Sequence, residues 1–358
     1  MTPHQDYTVG IICAIGFEMS AVRYMLDKEH QRLHGKDGDP NIYTLGELSG
    51  HNVILACLPG TQGKGAAATV ATNMARSFPS INWRFLVGIG GGVPSSKHDI
   101  RLGDVVVSMP EGPYGGVAQY DLGKDEDDGF RLKGFLSAPP PRLRNAVEMM
   151  RSDHFVQENK IEEYLSIMLK RGSRLKSLYS RPEAHTDILF DEVDSHASIC
   201  STGGSCDKTK VVPRLPRDFE GPGIHYGLIA SGDSVIRSAA KRSQKVRDVG
   251  DILCFEMEAA GLMTEYSGLV IRGISDYADS HKNDGWQHYA AAAAAACAKE
   301  LLTYVDPAAS SRTSSSDTDG SLRNAAAAQN EPGAGSSFRG RGVQNTGSFS
   351  VGKDLNIS

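Results

Sequence analysis

Several things are scarce in this sequence, and each shortage excludes a class of protein. No stretch approaches the ~18–20 consecutive apolar residues that a membrane-spanning helix requires. Basic residues are not in excess: 38 Lys and Arg stand against 43 Asp and Glu among 358 residues, a net charge of −5. That balance leaves no electrostatic footprint for DNA or RNA. Cysteine is rare, at six positions (13, 57, 200, 206, 254 and 297), and four of these lie inside apolar runs. Such a scatter fits reduced, buried thiols of a cytoplasmic protein better than a disulfide framework. The N-terminus, MTPHQDY, lacks the basic region of a signal peptide, so the apolar run 9–17 reads as a strand. No internal repeat at the roughly 20–50-residue periods of solenoids is visible.

What is present is a regular alternation of strand and helix signals over residues 7–304. The run YTVGIICAI is almost continuously apolar and β-branched, the pattern of a strand covered on both faces. A helical face follows from Glu18 to Lys28, and NIYTLGEL and NVILACLP flank Ser49-Gly50-His51 as a hairpin. FLVGIGGGV, DVVVSM and GGVAQYDL read as short strands punctuated by glycine. Residues 142–180 read as basic amphipathic helices, and 181–223 show no clear periodicity, so 142–223 reads as an insertion or elaborated loops. Strand signals return in HYGLIASGD, DILCFE and LVIRGISD. Seven consecutive alanines, 290–296, then mark a closely packed terminal helix. This interleaving predicts a three-layer α/β fold, a mixed twisted sheet flanked by helices, over residues 1–305. From Asp306 the composition turns to Ala, Ser, Thr, Gly and Asn, so 306–337 reads as a flexible linker. In 338–358 apolar spacing returns, with Phe349/Val351 and Leu355/Ile357 alternating.

Two glycine-rich runs invite misreading. The run 60–65 is too short for a phosphate-binding P-loop, and Gly65 stands where the Mg²⁺-binding hydroxyl belongs. The run 88–92 continues into Val93-Pro94, where a dinucleotide fingerprint needs a glycine and a helix start. Both read as tight turns between buried strands, at strand ends where an α/β sheet places its ligand. More informative are acids at the ends of apolar strands: Glu18, Glu256, Glu258 and Asp276. Singly, each is explained by a helix cap or an ion pair. Together they suggest a polar pocket at the carboxyl edge of the sheet, because an unpaired buried carboxylate costs several kcal/mol.

The blocks GIICAIGFEM, GTQGKGAAATVATN, FLVGIGGGVPSSKHDIRLGDVVVS, YGLIASGDSVI, FEMEAAG and VIRGISDYAD occur in the order and spacing of a known family. They resemble the purine nucleoside phosphorylase/nucleosidase superfamily, most strongly its bacterial methylthioadenosine/S-adenosylhomocysteine nucleosidases. The likeness covers residues 7–304 apart from the insertion. More specifically, the chain resembles the phosphorylase-type domains at the N-terminus of fungal NLR-like immune receptors. The resemblance implies the α/β fold above, assembly into dimers or hexamers, and no cofactor. It implies that Asp276 bonds purine N7 and protonates the departing base, and an acid there points to purines. It gives Glu258 the ribose hydroxyls, places Met257 under the sugar, and puts Glu256 in a neighbouring acid slot. Val235 and Ile236 would cover the base, with Gly88, Gly90, Ser275 and Arg237 completing the substrate-binding set. Glu18 matches the glutamate that activates water.

Particular positions argue for hydrolysis over phosphorolysis. Phosphorylases hold phosphate with Arg and Ser near the fourth-strand glycines, where this chain has the apolar run Leu86-Val87-Gly88-Ile89. An anion there would be desolvated without compensation, and the Glu18 carboxylate would repel it. The alternatives are a phosphate-dependent nucleoside phosphorylase and a catalytically silent ligand-binding and assembly module. Immune-associated relatives that cleave adenine nucleotides place ATP beside adenosine as a substrate. Arg237, Lys241 and Arg242 at a helix start, with Arg214 and Arg217, would make a phosphate site; a solvated basic helix face is the plainer reading. His196, Cys200 and Cys206 are too irregularly spaced to argue for zinc, so no metal is expected. The tail GVQNTGSFSVGKDLNI resembles the short amyloid-type signalling motifs of fungal NLR systems, which implies an NLR-like receptor as partner. A plain disordered tail is the other reading.

Overall fold

The computed structural model describes residues 2–127, 129–191, 211–282 and 284–307, all within one unit of the chain, 1–310. The expected linker beyond 307, the motif 338–358 and the group His196, Cys200 and Cys206 lie outside the described residues. The first apolar run forms β1 (Val9–Cys13), buried throughout, and α1 (Gly16–Met25) follows without a loop. A two-residue strand, β2 (Lys28–Glu29), pairs with the hairpin of β3 (Tyr43–Leu48) and β4 (His51–Cys57). Ser49 and Gly50 both take positive φ, 49° and 80°, the turn geometry that matches the twist of paired strands.

Helix α2 (Lys64–Ser77) leads to β5 (Trp83–Gly92), which is longer than the rest of the first half. The glycines 88–92, expected as a turn, are the last residues of that strand, paired with β12 on one side and β11 at its end. Next come β6 (Val105–Ser108), β7 (Val117–Gln119) and the small hairpin β8 (Gly123–Glu126) and β9 (Gly129–Leu132). The 142–180 region forms α3 (Pro141–Asp153), α4 (Ile161–Leu169) and α5 (Ser173–Tyr179). These helices belong to the main core, since Leu143, Val147, Met150, Ile161, Leu165 and Met168 are buried in it. The amphipathic spacing that marked them as helices therefore also gave them a face to bury. The second half supplies β10 (Ile224–Ser231), α6 (Ala239–Val249), β11 (Ile252–Glu256), α7 (Ala259–Glu265), β12 (Leu269–Asp276) and α8 (Gln287–Leu302).

One ten-stranded mixed sheet runs β11-β10-β6-β12-β5-β1-β4-β3-β2, with β7 on β10. β11 also pairs antiparallel with the end of β5, at Cys254↔Gly92 and Phe255↔Gly91. Strands β5, β12, β6, β10 and β11 thus close on themselves, and the closure brings the carboxyl ends of β5, β11 and β12 together, at Gly91, Phe255 and Asp276. Against this sheet lies α8, buried from Tyr289 to Leu302. Its alanines allow the close approach: a Cβ added at Gly273 of β12 would stand 1.8 Å from the Ala290 carbonyl oxygen. Cys13, Cys254 and Cys297 are buried free thiols and Cys57 is half-buried. Among the described residues no helix is long and apolar enough to cross a membrane.

Candidate active site

The strand closure sets four acids around one cleft. Glu18 lies in the first turn of α1, directly after β1; Glu256 ends β11; Asp276 ends β12, in register with Gly91. Glu258 sits at the start of α7, two residues past Glu256. The cleft has a volume of about 170 Å³, and Glu256, Met257, Glu258, Ser275 and Asp276 form its polar wall. Ile89 and Gly90 lie beneath, and Val235 and Ile236 form the outer wall, Val235 being half exposed.

Glu18 is 2% exposed and lies just behind the lining. Its Oε2 accepts the N–H groups of Ala14 (2.8 Å) and Ile15 (3.2 Å), and its Oε1 accepts that of Ile89 (2.8 Å). Helix start, strand end and glycine run therefore fix one carboxylate from three sides. Gly88 makes the space for it: a Cβ there would fall 2.4 Å from Glu18 Oε1 and 2.5 Å from Arg272 Nη1. The glycine run thus serves close approach rather than chain reversal.

Arg272 was not singled out by the sequence argument. It lies in the middle of β12, 1% exposed, and is the cation on which the acids depend. Its Nη2 donates to Glu256 and, at 3.2 Å, to Glu258 Oε2, while Nη1 reaches the Ile89 carbonyl at 3.4 Å. The signal was in the sequence, because a lone arginine inside the otherwise apolar strand LVIRGIS needs buried partners. Glu256 is further satisfied by the N–H groups of Glu258 and Ala259. Glu258 also accepts the Gly63 N–H at 3.3 Å, which ties the 60–63 loop to the cleft.

One guanidinium does not neutralise three buried carboxylates, and the titration behaviour reflects this. Burial pushes the Glu258 carboxyl up to about 7; Arg272 opposes the shift, and Glu256 and Glu18 reinforce it. Burial likewise raises Glu18, against the pull of Arg272 and its three backbone donors. Burial works against the charge of Arg272, but Glu256, Glu258 and Glu18 more than offset it and raise its pKa.

Asp276 is held differently. Its Oδ1 accepts the Ala278 N–H (3.0 Å), and its Oδ2 accepts the Ser275 hydroxyl (3.1 Å) and faces Lys282 Nζ at 3.3 Å. Lys282, Gln62 and Gln287 also line the cleft and were not anticipated. They lie in loops or at a helix start, where no periodicity marks a direction.

Of the expected substrate-binding residues, Gly88 and Arg237 are not brought into the lining: Gly88 lies against Glu18 and Arg272 behind it, and Arg237 is exposed, one residue beyond Ile236. The neighbouring cations point elsewhere. Arg242 is buried and donates to the Tyr277 carbonyl at 2.6 Å, Arg214 is paired with Asp187, and Arg217 with Asp104. Lys241 is exposed. Among the described residues, no group of three or more His, Cys, Asp or Glu side chains is placed to hold a metal ion.

The fold is that of the 5′-methylthioadenosine/S-adenosylhomocysteine nucleosidases and of futalosine hydrolase. The nucleosidase of Neisseria meningitidis, solved with methylthio-immucillin-A, superposes with a TM-score of 0.54 at 19% identity, over 83% of this chain and 99% of its own. Futalosine hydrolase of Helicobacter pylori superposes with a TM-score of 0.53 at 16% identity, over 84% of this chain and 99% of its own. In sequence, the chain is 43% identical over 306 residues to a nucleotide-binding leucine-rich repeat (NLR)-like protein of Hyaloscypha variabilis. That match takes in 85% of this chain and 30% of the relative, so the chain spans less than a third of the relative's length. No protein-family model matches the sequence.

Proposed function

We propose that this chain hydrolyses the N-glycosidic bond of a purine nucleoside or nucleotide, with adenosine and ATP as the first candidates. The observation that carries the reading is that Glu258 and Asp276 line one cleft at the carboxyl ends of β11 and β12, with Glu18 and Arg272 buried directly behind it. In the reaction the bond between the sugar C1′ and the base nitrogen breaks, and the electron pair leaves with the base. Asp276 delivers a proton to the base, and Lys282 beside it shares the charge change. Water adds to C1′ and loses its proton to Glu18, a carboxylate whose raised pKa makes it a stronger base than an ordinary one. Glu258 holds the ribose hydroxyls, and the positive charge developing on the sugar is met by the surrounding carboxylates.

Water rather than phosphate fits this cleft because the Ile89 N–H, an amide suited to an anion, is taken by Glu18. Leu86 and Val87 are buried in the core and offer no donor. The test is incubation of the pure protein with adenosine and with ATP, with and without inorganic phosphate, followed by chromatography of the products. Free adenine released equally in both conditions is the expected result. Release that requires phosphate and yields ribose 1-phosphate overturns it.

The likeness to an NLR-like protein supports a place for this activity as an effector or sensor domain of an immune protein. Within the same reading the enzyme is cytoplasmic and works as a homo-oligomer, and 338–358 is its self-assembly and receptor-docking segment.

A further inference from the structure

Among the described residues, 173–191 and 211–217 contribute nothing to the lining of the cleft, yet they touch the chain next to both catalytic carboxylates. Tyr179, the last residue of α5, donates its hydroxyl to the Phe17 carbonyl at 2.7 Å, one residue before Glu18. Beyond Asp276 the contacts are denser. Arg214 Nη1 donates to the Tyr277 hydroxyl at 2.8 Å, and that hydroxyl donates to Asp187. Arg214 Nη2 closes the ring on Asp187, 3.0 Å from its carbonyl and 2.9 Å from Oδ2. Further along, Phe190 stacks on His281 at 3.9 Å, and Thr186 accepts the Trp286 indole N–H at 3.1 Å. The segment 277–286 is thus gripped at three points.

The grip falls where the backbone needs it. Ala278 has φ 51°, in the left-handed region that costs a residue with a Cβ about 1 kcal/mol or more. Such a conformation persists only where the surroundings over-determine it. Here it aims the Ala278 N–H at Asp276 Oδ1 (3.0 Å) and starts the turn that returns Lys282 to Oδ2 (3.3 Å). Tyr277, immediately before it, is fixed at its hydroxyl by Asp187 and Arg214 and at its carbonyl by Arg242.

We propose that Asp187 and Arg214 are positioning residues for the acid: by clamping the Tyr277 hydroxyl they hold Ala278 left-handed and keep Asp276 aimed into the cleft. The proposal rests on the hydrolase reading of the site. It gives the described stretches around Asp187 and Arg214 a catalytic purpose beyond packing.

Three substitutions test it: Tyr277→Phe, which removes only the hydroxyl, Asp187→Asn and Arg214→Lys. Two measurements are made on the full chain, after circular dichroism has established that each variant folds. In base release from adenosine or ATP, Tyr277→Phe and Asp187→Asn are expected to lower kcat about 10- to 100-fold while KM changes far less. Arg214→Lys, which keeps the charge, recovers part of the loss. In hydrogen exchange, peptides covering 275–290 exchange faster in Tyr277→Phe, while peptides of β1 and β4 do not change. Wild-type kcat in Tyr277→Phe overturns the proposal, whatever the exchange shows, and so does unchanged exchange over 275–290. A wild-type protein that releases no base from any nucleoside or nucleotide overturns the hydrolase reading instead, and is recognised by its independence of these variants.

Discussion

Glu256 and Glu258 pair with the buried guanidinium of Arg272, whose charge also acts on Glu18, while Asp276 is paired apart from them with Lys282. Division of labour between the acids follows from these partners, and substitution separates them. Asp276→Asn and Glu18→Gln are each expected to lower kcat for base release by about 10²–10⁴-fold; Glu18→Gln also lowers the melting temperature, because its amide nitrogen must face a backbone N–H that the carboxylate now accepts. Because burial raises Glu18, and water activation needs it ionised, activity falls as pH decreases, starting above the ordinary carboxylate value of 4.5. A pH–rate profile in the presence of saturating substrate reads that limb, and Glu18→Gln abolishes it. Glu258 gives a stability effect of defined sign. Its pKa is about 7 in the fold against an ordinary 4.5, so the protonated form suits the folded chain, and that stability is lost as pH rises from 4.5 through 7. Glu258→Gln has no such titration, so its melting temperature should gain on the wild type by about 2 °C or more between pH 4.5 and about pH 8. The acids were legible in the sequence because each stands at the end of an apolar run, where a solvent-avoiding carboxylate needs a reason. Arg242, Arg214 and Arg217 were not, because spacing along a chain says nothing of which acid a long side chain will meet once the insertion folds back.

At the scale of elements, small residues decide how near the backbones come. Helix α8 is apolar all round from Tyr289 to Ala298, which reads as burial, and its run of alanines brings it against β12. Ala294→Leu adds volume where Ala294 is 0% exposed, and should cost about 1–3 kcal/mol through displaced neighbours. Thermal unfolding checks it, and the same substitution should disturb Asp276 through β12 and slow base release. Strands and helices were readable from their periods, including the three helices 141–179, because burial on one or two faces leaves a repeating mark. The sheet closure was not readable. It depends on a two-residue antiparallel contact between β11 and the end of β5, and a pairing that short leaves no pattern in either strand. The glycines of β5 were correspondingly mistaken for a turn, since the reasons for them, Glu18 and Arg272 against Gly88, the Phe255 carbonyl against Gly90 and Asp276 against Gly91, come from elements distant in sequence.

At the scale of the whole molecule, the buried core of the described residues begins at Tyr7 and ends at Val305. The likeness to the NLR-like protein occupies a similar length, 306 residues within a protein more than three times as long. A domain with its own core can in principle fold alone, which makes the boundary at 307 testable. Residues 1–307 produced alone should therefore unfold in one cooperative transition, within about 2 °C of the full chain. They should also release base at the full chain's rate per folded molecule. Calorimetry and the product assay measure the two. If 338–358 is the self-assembly segment, the full chain at rising concentration should sediment as larger species while 1–307 does not, with kcat in the dilute state the same for both. A truncated chain that folds but has lost activity would place part of the catalytic machinery beyond residue 307, and the carboxylate cleft would then be insufficient on its own.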